Sequence, residues 1–231
     1  MIVVITGVSR GLGFALANEY LNSGFLVYGI GRSSSIKHKN FSFIKCDLSS
    51  WEEVENLEMN FPLSTEVLLI NNAGIIEPIK RISDQDVDSS KEIFQINTIA
   101  PIQLIRKFSR FCENKTKLTI VNISSGAARR AIPSWANYCA SKAALDLFSE
   151  TFQLEEIEKG YKTKIFSLAP GVIDTEMQKN IRNTKPADFS SYDNFVNLKN
   201  DEKLLSSEFV ASKIKEALEK NLFSEVCCRL E

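Results

Sequence analysis

Tyr138 and Lys142 stand four residues apart in the stretch NYCASKAAL, Asn137–Leu145. On a helix that spacing puts both side chains on one face. A free phenol loses its proton near pH 10, and an adjacent ammonium favours the phenolate. Moving that ionisation to near neutrality takes about 4 kcal/mol of preferential stabilisation. One ammonium in a partly dry cleft supplies much of it. A phenol tuned in this way is an efficient proton donor and acceptor near neutral pH. The same two residues also fit an exposed pair on an amphipathic helix, so the pair needs companions before it implies chemistry.

A second chemical signal lies at the start of the chain. Gly7, Gly11 and Gly13 follow the run IVVIT and open a helical stretch. The pattern TGxxxGxG is a looser relative of the dinucleotide fingerprint. Glycine permits a tight turn and close backbone approach to a pyrophosphate, whose charge the helix N-terminus receives. Structural turns share this composition; the strand before and helix after favour a nucleotide. The next strand ends GIGRSS. An acidic residue there would grip a ribose hydroxyl, but Gly31 holds the position and Arg32 follows. Arg10 in the turn, with Ser9 and Ser33, completes a set suited to a 2′-phosphate. The expected cofactor is therefore NADP(H); two exposed surface arginines are the alternative. Asp47 ends the third strand, where its carboxylate would accept from an adenine amino group or cap the following helix.

The chain has 231 residues, 44% of them hydrophobic, enough for one α/β domain with a sizeable core. A net charge of -1 gives no reason to expect nucleic acid or an anionic membrane as partner. No apolar stretch is long enough to span a bilayer. The apolar run starts at Ile2 and leaves no room for a signal peptide, so a cytoplasmic location is expected. Cys46, Cys112, Cys139, Cys227 and Cys228 form no CxxC pair and are expected as reduced thiols. The single histidine, His38, sits in a polar run and is expected in a solvated loop, so no metal site is anticipated.

Short β-branched runs alternate with longer helical patterns. Strands are expected at IVVIT, FLVYGIG, FSFIKCD, EVLLINNAG, KLTIVNISS, TKIFSLAPG and SEVCCRL. Helices are expected over GLGFALANEYLNSG, WEEVENLEM, Ser83–Cys112 with a bend near Pro101, Trp135–Lys159 and SSEFVASKIKEALEK. This alternation predicts a doubly wound parallel sheet with helices on both faces, in a single domain over residues 1–231. Residues 172–206 read as polar and irregular, long for a loop in a compact domain, and are expected to form a substrate lid.

The motifs taken together resemble those of the short-chain dehydrogenase/reductase family. They are TGVSRGLG (Thr6–Gly13), DL (Asp47–Leu48), NNAG (Asn71–Gly74), Asn97 in QINT, NISS (Asn122–Ser125), YCASK (Tyr138–Lys142) and PGVIDTEM (Pro170–Met177). They appear in the family's order and cover the whole chain. The resemblance implies a Rossmann-type sheet of about seven strands in the order 3-2-1-4-5-6-7. It implies Tyr138 as catalytic acid, Ser125 holding the substrate carbonyl, Lys142 gripping the nicotinamide ribose, and Asn97 supporting a water relay to Lys142. Cofactor contacts would extend to Leu12 and Leu48 in the matched motifs. Asn72, Ala73 and Gly74 would line the adenosine ribose, and Pro170, Gly171, Val172 and Thr175 would meet the nicotinamide.

The C-terminal third resembles the sepiapterin reductase and benzil reductase branch, whose members reduce ketones or vicinal diketones with NADPH. Pterin-reducing members carry an acidic anchor near the C-terminus, where this chain aligns Arg229. Trp135, Met177, Phe189, Tyr192 and Phe195 are candidates for an aromatic wall over a flat substrate, or for ordinary loop packing. Two alternatives stay open: a 3-oxoacyl-thioester reductase, for which Arg129 and Arg130 offer a thin basic patch, and a non-catalytic NADP-sensing module. The resemblance also implies a homo-oligomer, a dimer or tetramer paired through the two long helices.

Overall fold

The computed structural model describes residues 1–62, 66–112 and 116–230. Seven strands form one sheet: β1 (Ile2–Thr6), β2 (Leu26–Gly31), β3 (Phe41–Lys45), β4 (Glu66–Asn71), β5 (Lys117–Ile123), β6 (Lys164–Ala169) and β7 (Cys227–Arg229). Their order is 3-2-1-4-5-6-7, as expected, and every neighbouring pair is parallel. The helices are α1 (Gly11–Asn22), α2 (Trp51–Glu55), α3 (Val87–Phe94), α4 (Ala100–Cys112), α5 (Ala136–Glu158), α6 (Glu176–Arg182), α7 (Tyr192–Asn200) and α8 (Ser207–Glu219).

The IVVIT run is apolar at nearly every position because both faces of β1 are covered. Ile2 and Val4 join Leu104 and Phe108 of α4 in one core cluster. Val3 and Ile5 point the other way, to Leu16 of α1 and Ile214 of α8. Chain order reverses between β1 and β4, which opens a crevice at their carboxyl ends, the usual ligand position in such sheets.

Two segments depart from the expected pattern. Ser83–Cys112 is not one bent helix. A 3₁₀ turn (Ile82–Asp84) precedes α3, and a π turn (Gln95–Ile99) joins α3 to α4. Pro101 has no N–H for the carbonyl of Asn97, and the ladder widens just before it, with Ala100 N–H donating to the Gln95 carbonyl. Asn97 thereby sits in the wide turn, a form frequent at functional sites.

Residues 172–206, expected to be irregular, hold α6, a 3₁₀ turn (Pro186–Asp188) and α7. α6 spans two turns, too short for a readable period, and α7 has no fully buried residue. The segment is pinned by a parallel bridge between Ile173 and Leu205 and by Lys199 Nζ, 2.6 Å from Asp174 Oδ2.

Candidate active site

The crevice is tied together below the level of any ligand. Thr6 Oγ1 accepts the N–H groups of Asn72 and Ala73, each at 3.0 Å. Asn72 Nδ2 donates back to the Thr6 carbonyl at 3.0 Å. Asn71 Nδ2 donates to Asn122 Oδ1 (2.8 Å), and Asn122 Nδ2 to Ser149 Oγ (2.9 Å). These bonds, buried between Asn71, Asn122 and Ser149 and half-buried where Thr6 meets Asn72 and Ala73, join the ends of β1, β4 and β5 to α5, so the loops that follow start from fixed points. Above them lies a cavity of about 530 Å³.

Gly7, Ser9, Arg10, Gly11 and Leu12 line one end of it. Gly7 has a φ of +74°, and a Cβ there would lie 3.0 Å from Ala73 Cα. Gly13 lies behind the lining, where a Cβ would sit 2.2 Å from the Gly7 carbonyl oxygen. Only glycine lets α1 begin this close to the turn. Its first turn has no capping side chain and no acidic residue, so the N–H groups remain for an anion. Arg32 and Ser33 line the cavity beside the turn. The Arg10 and Arg32 side chains are exposed and make no ion pair among the described residues. An open helix N-terminus beside two uncommitted guanidinium groups fits the phosphates of NADP(H).

Asp47 and Leu48 also line this end. Asp47 Oδ1 accepts from Ser49 N (3.0 Å) and Ser49 Oγ (2.8 Å). The Ser49 bonds hold its pKa below the usual carboxylate value, with a further contribution from the Arg32 charge. Ser50 rather than Asp47 caps α2, its Oγ accepting from Glu53 N at 3.2 Å; Asp47 shapes the turn before the helix and faces the cavity. Asn72, Ala73 and Gly74 border it from β4.

Ser125, Tyr138 and Lys142 meet in the middle. Tyr138 and Lys142, in the first two turns of α5, are 7% and 4% exposed. Burial raises the Tyr138 pKa, and a hydrogen bond with Ser125 opposes that rise. The depressed phenol expected from the Tyr–Lys spacing is thus not produced by the chain alone. Lys142 Nζ lies 6.0 Å from the Tyr138 ring centroid and donates to the Ile123 carbonyl at 2.8 Å. Burial pulls Lys142 down to about 8, against the charge of Asp146. The phenol is held protonated, the state a proton donor needs.

Asn97 does not line the cavity. Its Oδ1 accepts from Ile75 N (2.9 Å), and its Nδ2 donates to the Ile75 carbonyl (2.8 Å) and Ser141 Oγ (3.1 Å). It fastens the loop after β4 to α5. A Cβ on Gly74 would lie 3.3 Å from Asn97 Oδ1 and 3.5 Å from Lys142 Nζ, so Asn97 and Lys142 flank the same glycine. Pro170, Gly171, Val172 and Thr175 line the far side.

A model of the short chain dehydrogenase family matches residues 1–186. The chain belongs to that family. A Bacillus subtilis benzil reductase, (S)-benzoin forming, is 37% identical over 225 residues, covering 94% of this chain and 93% of the relative. Its Bacillus cereus counterpart is 36% identical, covering 96% of each chain. The crystal structure of a Saccharomyces cerevisiae short-chain dehydrogenase/reductase superposes with a TM-score of 0.85 at 26% identity, covering 100% of this chain and 96% of that one. The expected resemblance to the benzil reductase branch is borne out.

In this family member the five side chains expected as an aromatic wall or as loop packing divide between the cavity lining and the packing behind it. Trp135, Met177 and Phe195 line the cavity, while Phe189 is fully buried behind them. The Trp135 and Phe189 rings stack at 5.3 Å with an interplanar angle of 11°. Tyr192 packs against the same cluster without lining the cavity. Arg229 is exposed on β7 and lies outside the cavity. Arg129 donates to the Cys227 carbonyl (2.9 Å) and lies 3.8 Å from Asp146, which reduces the basic patch to Arg130. His38 is exposed, and Cys46, Cys112 and Cys227 are buried free thiols.

Three residues missed in the sequence also shape the site. Gln178 lines the cavity from α6. Asn180 Nδ2 donates to Glu77 Oε1, joining α6 to the loop after β4. Asp146 receives the Ser124 and Ser167 hydroxyls, each at 2.6 Å. Asn180 and Asp146 depend on partners distant in the chain, and Gln178 on the placement of α6 against the cavity, none of which local spacing signals.

Proposed function

We propose that the chain is an NADPH-dependent carbonyl reductase acting on ketones and vicinal diketones, with Tyr138 as general acid. The carrying observation is the buried, protonated Tyr138 bonded to Ser125, between a phosphate-ready glycine turn and an aromatic wall. When bound, NADPH supplies hydride to the carbonyl carbon. Ser125 and Tyr138 donate to the carbonyl oxygen, and Tyr138 passes it the phenolic proton as the alcohol forms. Lys142 grips the nicotinamide ribose, and Asn97 supports the proton relay behind it. The Asn72–Gly74 segment would border the adenosine ribose, Asp47 the adenine, and Pro170, Gly171, Val172 and Thr175 the nicotinamide. Ser9, Arg10, Arg32 and Ser33 would hold the 2′-phosphate.

The benzil reductase relatives and the wall at Trp135 and Phe195 support a flat aryl or diketone substrate. Arg229, outside the cavity, gives no support to a pterin anchor, and the engaged Arg129 gives none to an acyl-carrier partner. The chain acts as a single domain in the cytoplasm. It pairs with copies of itself through α4 and α5, where Leu147, Leu154 and Ile157 are exposed on α5.

The test is NADPH absorbance loss with benzil, sepiapterin and an acetoacetyl thioester side by side, with NADH and Tyr138→Phe as controls. Tyr138→Phe should lose roughly 10²–10⁴ in rate on the preferred substrate while still binding NADPH. Thioester preference would move the protein to acyl chemistry. Tight NADPH binding without turnover would leave the sensing module.

A further inference from the structure

Two polar groups on the cavity wall have no partner. Gln178 is 2% exposed, and neither its Oε1 nor its Nε2 is hydrogen-bonded among the described residues. Trp135 is 5% exposed, and its Nε1 is likewise unbonded. Both residues line the cavity that contains Ser125 and Tyr138, with the unpartnered atoms just beneath its surface. The Trp135 ring is fixed by the stacked Phe189, by Phe195 at 5.1 Å and by the Tyr138 edge at 5.7 Å. Buried amides and indoles nearly always find a partner. Here the surroundings of Trp135 are largely apolar: Ile76, Ile79, Ala127, Ile181 and Phe189 belong to the same cluster. A pocket for a simple aryl ketone needs only such side chains. Two unsatisfied donors in it call for an acceptor on the substrate.

We infer that the Gln178 amide, turning toward the cavity from just beneath its surface, with the Trp135 indole N–H nearby, receives the second, non-reacting oxygen of a vicinal dicarbonyl. This rests on the carbonyl reductase reading above. Ser125 and Tyr138 engage one oxygen of such a substrate, and the adjacent carbonyl has nowhere apolar to go without losing its hydration. Gln178 supplies two N–H donors for it. A monoketone of the same shape leaves the amide unpaired when its rings seal the cavity, and a site built for a hydrogen bond discriminates strongly against the analogue lacking it. Gln178 is then the residue that sets preference for diketones over ketones.

Arg182, one turn further along α6, offers the rival account. Its Nη1 is also unbonded, and Gln178 would serve it structurally. Stability separates the two. Gln178→Met keeps the side chain's shape and removes its polar atoms, so a substrate-facing amide predicts a melting temperature at or above that of the unaltered protein.

The experiment compares kcat/KM for benzil and deoxybenzoin, which lacks one carbonyl, at saturating NADPH. The unaltered protein should prefer benzil. Gln178→Met should lose about tenfold on benzil, change little on deoxybenzoin, and so collapse the ratio. Gln178→Glu, which replaces the donor with an acceptor, should lose more on benzil and serves if the methionine variant does not fold. An unchanged ratio, a parallel loss on both substrates, or a lowered melting temperature with the ratio intact overturns the inference while leaving the reductase reading standing. No reduction of either ketone by the unaltered protein overturns the reductase reading and the inference with it.

Discussion

Ser124 donates its hydroxyl to Asp146 Oδ1 at 2.6 Å, which anchors the residue next to Ser125 to the helix that carries Tyr138 and Lys142. Ser167 donates to the same oxygen at 2.6 Å, and Arg129 Nε lies 3.8 Å from Oδ2. One carboxylate therefore binds the end of β5, β6 and the turn after Ser125 onto α5. It stands one helical turn beyond Lys142, and its charge opposes the burial that depresses that ammonium. Asp146→Asn should release the Lys142 proton at lower pH. The alkaline limb of the kcat/KM profile then shifts to lower pH, with roughly 1–3 kcal/mol lost in stability. A limb that stays in place would break the electrostatic link.

Lys142 itself makes the fold's stability depend on pH. Its pKa is about 8 in the folded chain and near 10.5 when solvated. Between those values the unfolded lysine binds more protons than the folded one, so the Lys142 contribution to stability rises with pH, opposed above about pH 9 by the buried thiols of Cys46, Cys112, Cys227 and Cys228, whose pKa values burial raises. Lys142→Met should remove the rise and stabilise the chain at pH 7 by at most about 3 kcal/mol. Above about pH 10 Tyr138 acts oppositely. Its raised pKa keeps it protonated when the unfolded phenol has ionised, and stability falls. Denaturant melts at pH 7, 9 and 10.5 on both proteins would show whether the slope belongs to Lys142.

Much of this site was legible because its signals are local. A run buried on both faces, a glycine turn and a four-residue spacing each reflect contacts within a few residues, and β1, the α1 start and the Tyr138–Lys142 pair follow from them. The π turn around Asn97 was partly legible, since Pro101 must break the ladder somewhere nearby. Illegible were effects set by the whole environment. The Tyr138 pKa depends on how completely the cavity walls exclude water, and the Ser125 bond, not the Lys142 charge on which the spacing argument relied, is what opposes that burial. α6 and α7 were missed because neither is long enough for its apolar period to stand above the polar residues around it.

The proposed preference for NADPH assigns cofactor choice to Arg10 and Arg32. Neither has an ion-pair partner among the described residues, so each is free to make charge-assisted bonds to a 2′-phosphate. Arg10→Ala and Arg32→Ala should each lower kcat/KM for NADPH by roughly ten- to a hundredfold, with NADH changing by less than about twofold. Added salt should narrow the gap, since both groups are exposed. Equal losses with both cofactors would assign the arginines to the shared pyrophosphate.

Gly13 offers a test of the turn that needs no substrate. A Cβ there meets the Gly7 carbonyl oxygen at 2.2 Å and Asn72 Nδ2 at 2.4 Å. The first of these is backbone and has no rotamer to yield. Asn72 Nδ2 is already held by the Thr6 carbonyl at 3.0 Å. Gly13→Ala must therefore push α1 away from the turn, at roughly 1–3 kcal/mol or more for overpacking, and carry the helix N-terminus off the phosphate position. Gly126 has nothing within 4 Å of its built Cβ, so Gly126→Ala should melt within about 0.5 kcal/mol of the unaltered protein. NADPH binding by tryptophan fluorescence should be weakened at least tenfold in Gly13→Ala under conditions where it remains folded. A Gly13→Ala protein that binds NADPH normally would mean that α1 can retreat without moving its first N–H groups, and that the glycine serves packing alone.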